Sequence, residues 1–148
     1  MAEQRIRALA LCVFHHNGRI LVNHFHDLIK QQGFFRPVGG GIEFGETSAE
    51  AIVREVDEEL ALAITDLSLL GTLESLFVYN GKPGHEIVQV YDAVFSDASV
   101  YQQSHLDGRE SNGAPFIAKW HDSSSFTEQS PLVPNGLSEL LKKTDRLK

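Results

Sequence analysis

A single cysteine, Cys12, stands among the 148 residues, which excludes an intramolecular disulfide and any zinc site built from several thiolates. Long apolar runs are missing too. The longest near the start, residues 8–14, is too short to cross a membrane, and His15-His16-Asn17-Gly18 follows it where a secretory leader would carry small residues. Cationic side chains are in deficit, 13 lysines and arginines against 20 aspartates and glutamates, giving a net charge of −7. Because duplex affinity rests largely on neutralising phosphates with cations, this argues against a general nucleic-acid binder. No internal repeat or low-complexity tract appears. What is there is ordinary, 42% apolar and 22% charged, as in globular proteins at large. The length fits one domain over residues 1–148 with a core of its own, and a reducing cytoplasm is the expected setting.

Residues 6–14 and 20–24 are apolar, partly alternating runs on either side of Asn17-Gly18, a pair suited to a tight turn, and predict a hairpin. Residues 31–45 hold Pro37, the triplet Gly39-Gly40-Gly41 and Gly45, and predict irregular loop. Helical periodicity begins at Thr47. Thr47 and Glu50 form a T-x-x-E capping box, and Ala49, Ile52, Val53, Val56 and Leu60 follow at spacings of three and four. Residues 67–79 and 86–95 read as strands joined through Asn80-Gly81, 116–120 as a further short strand, and 134–148 as a closing amphipathic helix that starts at Asn135 or Gly136.

On a helical wheel of about 100° per residue, Glu55, Glu58 and Glu59 fall within a sector of roughly 100°, beside the apolar stripe rather than opposite it. On an exposed helix such crowding costs only a few tenths of a kcal/mol per pair, and the acids would be a solvated face. At a partly buried edge the repulsion rises to about 3 kcal/mol per pair at 6 Å and an effective dielectric near 20, and bound cations would reverse it. An acidic protein that handles a phosphorylated ligand needs such a local source of positive charge.

The loop before the helix decides which reading to follow. Gly40, Glu46, Arg54, Glu55, Val56, Glu58, Glu59 and Leu62 fill a pattern that resembles the Nudix box, G-x5-E-x7-R-E-U-x-E-E-x-G-U with U a bulky aliphatic residue. Six non-aliphatic matches in register would arise by chance on the order of once in 10⁵ chains of this length. The last glycine of the box is Ala61 here, and since alanine tolerates a left-handed helix end at a cost of about 1 kcal/mol, an altered end is expected.

The resemblance implies the family's α/β fold, an α/β/α sandwich around a mixed β-sheet with a catalytic loop-helix-loop. It implies hydrolysis of a nucleoside diphosphate linked to another group, a nucleoside triphosphate or a nucleotide sugar such as ADP-ribose, with Mg²⁺ or Mn²⁺ as cofactor. By the same resemblance Glu58 and Glu59 are the principal metal ligands, Glu55 a further ligand or general base, and the Gly39 carbonyl an additional ligand. Arg54 would orient carboxylates by pairing with Glu50 and Glu58 at helical spacing, and Glu43 and Glu46 would organise the loop. One more carboxylate is expected from a distant loop, with Glu110 as the candidate and Glu86 as its rival. Homodimers are common among proteins of this kind. The alternative is a nucleotide-sensing or partner-binding module of the same fold without turnover.

Of Phe34, Phe35 and Arg36 ahead of the glycine loop, Phe35 is the candidate to stack a base and Arg36 to meet a phosphate, although core packing explains the phenylalanines equally well. Phe77, Tyr79 and Trp120 carry the same ambiguity. His24 and His26 share a strand face without an evident third zinc ligand. Cys12 reads as a small buried hydrophobe rather than a nucleophile.

Overall fold

The computed structural model describes residues 4–148. Strand β1 (Arg7–Val13) is apolar on both faces, and it lies inside a mixed sheet of order β5-β1-β7-β6. It runs parallel to β7 (Lys82–Phe95) and antiparallel to β5 (Val38–Gly41), while β6 (Ile64–Tyr79) pairs with β7 at the edge. Two-sided burial calls for cover on both faces. Ala10, Cys12 and Phe14 meet Ala51, Ile52, Val56 and Leu60 of helix α1 (Ser48–Leu60). Leu9, Leu11 and Val13 meet Leu137 and Leu141 of α2 (Leu137–Lys143). Burying one such leucine or valine contributes about 1.5–3 kcal/mol. The layers are therefore helix, sheet, helix. A second, antiparallel sheet of order β2-β3-β9-β8 adjoins them, built from β2 (His15–His16), β3 (Arg19–Asp27), β8 (His105–Arg109) and β9 (Pro115–His121), with β4 (Gln32–Arg36) on the other side of β3. Among the described residues no helix is long and apolar enough to cross a membrane.

Three expectations are corrected. The first hairpin is only two residues deep: Asn17 and Gly18 do turn the chain, at φ 55 and 78, but only His15 and His16 fold back onto β3. Beyond Phe14 the two runs part into different sheets, because β1 finds its hydrogen bonds on β5 and β7. The glycine-rich stretch is largely strand, forming β4 and β5, with breaks at Gln31 and Pro37 and irregular backbone after Gly41. The helix end is not altered. Ala61 adopts the left-handed conformation itself, φ 56 and ψ 39, and its N–H donates to the Asp57 carbonyl at 2.9 Å. The helix start is as expected, since Thr47 accepts from the Glu50 N–H at 3.1 Å and the Glu50 carboxylate accepts from the Thr47 N–H at 2.9 Å. The hairpin through Asn80-Gly81, the strand around 116–120 and the closing helix after Gly136 also form.

Candidate active site

Helix α1 leans its acidic edge against β5, and glycine makes that approach possible. A Cβ on Gly40 would lie 2.7 Å from Oε1 of Glu55 on α1, while one on Gly39 would lie 2.2 Å from the Ala10 carbonyl oxygen on the other neighbour of β5, strand β1. In the recess the Gly39 N–H donates to Glu59 at 3.3 Å, so the contact made by Gly39 is through its amide. Burial, then the neighbouring Glu55 carboxylate, pushes the Glu59 carboxyl up to about 8, while Arg36 and the Gly39 N–H act against the rise.

Arg54 braces this recess from behind. Its Nη2 and Nε donate to the two oxygens of Glu46 at 2.6 and 3.1 Å, Nη2 also reaches the Gly41 carbonyl at 3.0 Å, and Nη1 donates to Glu55 at 3.0 Å and Glu58 at 3.3 Å. Its hydrogen bond with Glu46, first among several, raises the guanidinium further and holds the Glu46 carboxyl below its ordinary range. Glu46 in turn accepts from the Glu43 N–H at 2.9 Å. Two expectations change here. Arg54 does not take Glu50, whose carboxylate is occupied in the capping box. Glu58 takes the expected place on Arg54, sharing its Nη1 with Glu55, but with its side chain 51% exposed it stands at the rim and does not line the recess with Glu55 and Glu59. Consequently no three acids, histidines or thiols among the described residues already stand ready to hold one ion.

The recess opens into a cavity of about 290 Å³ lined by Arg36, Gly39, Glu55, Glu59 and Glu110. Of the two candidate distant acids it is Glu110 that lies there; Glu86 lines the adjoining groove and pairs with Arg7 at 3.4 Å. That groove, about 720 Å³, shares Arg7, Leu9, Phe25, Arg36 and Glu110 with the cavity, so the two are continuous. Phe25, Phe34 and Arg36 form one wall and Phe77 and Tyr79 the other. Phe25 and Phe34 stack at 5.2 Å between ring centres, Tyr79 meets Phe34 edge-on at 5.5 Å, and the Arg36 guanidinium lies 5.3 Å over Phe25. Arg36 Nε is buried and has no hydrogen-bond partner among the described residues, a donor suited to an anion.

Phe35 is not in the groove. Strand alternation sends it to the opposite face of β4, 8% exposed between His24, His121 and Phe126, while Phe34 and Arg36 face the groove. Phe25 escaped sequence reasoning, although its place between His24 and His26 fixes it on the face opposite theirs. Trp120 is structural, its indole N–H donating to the Gln103 carbonyl at 3.1 Å. Cys12 is fully buried, and burial first, then Asp92, pushes its thiol up.

A family model described as NUDIX domain matches residues 4–140. The chain belongs to the NUDIX family. Solved structures share the NUDIX fold. A MutT NUDIX hydrolase from Burkholderia pseudomallei superposes with a TM-score of 0.65 at 21% identity, covering 98% of this chain and 100% of that one. A MutT protein from Bacillus halodurans gives 0.60 at 18% identity, covering 95% and 85%. The NUDIX assignment supports a hydrolase of pyrophosphate linkages in general, and residues 39–62, whose pattern resembles the Nudix box, contribute the glycines and glutamates of the recess and the Arg54 brace.

Proposed function

We propose that the chain hydrolyses a phosphoanhydride bond in a nucleoside diphosphate linked to another group, a nucleoside triphosphate or a nucleotide sugar, with Mg²⁺ or Mn²⁺ bound by Glu55 and Glu59 in the recess, by the Gly39 carbonyl, and by Glu58 at the rim where Arg54 holds it. One observation carries the reading: a crowded carboxylate pair opens directly into a groove walled by aromatic rings and a guanidinium with an unpaired donor.

The donors suit a hard divalent cation. They are carboxylate oxygens, and Glu59 is held where its charge is disfavoured beside Glu55, which a cation would relieve. When bound, the cation would neutralise diphosphate oxygens and acidify water. Arg54 fixes Glu55 and Glu58 in place and touches no substrate. Arg36 binds a phosphate oxygen, and Phe25 and Phe34 hold the base. Water adds across the P–O–P link, its oxygen joins phosphorus, the bridging oxygen leaves, and a carboxylate of the cavity, Glu55 or Glu110, takes the released proton.

The test is turnover. Purified protein with Mg²⁺ or Mn²⁺ is assayed against nucleoside triphosphates, dinucleoside polyphosphates and nucleotide sugars. Product release from at least one, lost in Glu59→Gln, is the expected result. A panel without product overturns the proposal.

A further inference from the structure

The β6–β7 ribbon outruns its sheet. β1 pairs with β7 only from Glu86 onward, so over residues 76–85 the ribbon has no strand neighbour but itself. A two-stranded ribbon alone is at best marginally stable in water. Yet this segment carries Phe77 and Tyr79, one wall of the groove.

The tip is clasped to the opposite wall. Asp27, at the end of β3, is 3% exposed. Its Oδ1 accepts from the N–H groups of Ile29 and Lys30, both at 3.0 Å, and so shapes its own turn. Its Oδ2 accepts from the Asn80 N–H at 3.1 Å, across to the ribbon's turn. Asn80 returns the contact, its Oδ1 accepting from the Leu28 N–H at 2.9 Å, and the Lys30 ammonium donates to the Val78 carbonyl at 2.7 Å. These three bonds join a turn of one sheet to a ribbon of the other at the groove's outer end, while the recess with Glu55 and Glu59 lies at its inner end. Chemistry at the inner end does not need the clasp. The spacing of the aromatic walls does.

We propose that Asp27 is a positioning residue whose carboxylate, by clasping the Asn80 turn, seats Tyr79 edge-on against Phe34 and so fixes where Phe77 stands in the groove relative to Phe25, and thereby the affinity and selectivity for the planar ring of the ligand. The inference rests on the nucleotide-hydrolase reading above. It concerns the ring, not the phosphates.

Asp27→Asn isolates the clasp. The amide oxygen still accepts from Ile29 and Lys30, but the amide nitrogen now confronts the Asn80 N–H, donor against donor. The expected result is a KM for the preferred nucleotide raised about fivefold or more, the effect of one lost charge-assisted hydrogen bond, with kcat within about twofold. The preference between purine and pyrimidine substrates should narrow as well. Lys30→Met, which keeps the Asp27 bond to Asn80 and removes the link to Val78 together with the ammonium charge near Asp27, should raise KM by a smaller factor and covers the case in which Asp27→Asn fails to fold. A merely structural role would lower kcat through loss of active molecules and leave KM alone; that pattern, or no change in either constant, overturns the proposal. If the wild type turns over nothing, the hydrolase reading falls by itself, and calorimetric binding of AMP and CMP then decides. Weaker binding by the variant supports the clasp, whereas equal binding or none to the wild type overturns it.

Discussion

Ala61 offers a prediction in which a substitution should improve the protein. It closes α1 in the left-handed region, φ 56 and ψ 39, with its side chain exposed. There a Cβ crowds the following carbonyl and costs about 1–2 kcal/mol, which glycine avoids. Glycine also gives the unfolded chain more freedom, which takes back about 0.4–1 kcal/mol. The net gain for Ala61→Gly is then about 0.5–1 kcal/mol, and for a domain of this size a rise in Tm of about 1–4 °C. A circular-dichroism melt of both proteins in one buffer measures it. Ala51→Gly, inside the same helix and fully buried, is the control and should fall by about 1 kcal/mol or more, since glycine there only weakens the helix. A Tm for Ala61→Gly that is unchanged or lower would mean that the left-handed end carries no strain worth removing.

Gly40→Ala should displace Glu55, since its Cβ would lie 2.7 Å from that carboxylate; turnover is expected to drop by about 100-fold, as for a misplacement near 1 Å, with a near-normal melt because the obstruction is the end of a flexible side chain. Phe34→Ala should raise KM and leave the fold intact, whereas Phe35→Ala, in the core, should cost about 3–5 kcal/mol; steady-state kinetics and melts of the pair separate groove from core. Arg146→Met should cost about 2 kcal/mol at neutral pH, because Arg146 donates to Asp92 at 2.8 and 3.2 Å and the acid is buried. Burial pushes the Asp92 carboxyl up, but His15 and Arg146 together hold it below its ordinary 3.8. The ionised acid therefore contributes stability above about pH 4 that is lost as pH falls through its lowered pKa. Denaturant melts should accordingly show the gap between wild type and variant closing in acid, and a gap that widens there would contradict the assignment.

Where information is local, the chain could be read directly. Thr47 and Glu50 cap α1 by contacts three residues apart, and Asn80-Gly81 turns a hairpin whose strands alternate on either side. Where strands form only by meeting distant partners, reading failed. Val38–Gly41 has little strand propensity, and β5 exists because β1 needs an edge partner that comes within 2.2 Å of where a Cβ would stand. A stretch read as loop does not distinguish Phe34 from Phe35, since only a strand assigns alternate residues to opposite faces. Asp27 carries no local signal at all, because its burial depends on Asn80, 53 residues away. The acids of α1 were legible in position, and their disposition was less so: Glu58 turns outward because Arg54, drawn forward by Glu46 eight residues earlier, stands where it can take that charge.

If the recess made by two glycines and a pair of glutamates takes up a divalent cation, titration calorimetry of Mn²⁺ into the wild type and into Glu59→Gln, with circular dichroism to verify that both are folded, will register it. Saturable binding by the wild type, abolished in the variant, is predicted. A wild type that gives no binding heat, or a variant that binds as tightly, would contradict it.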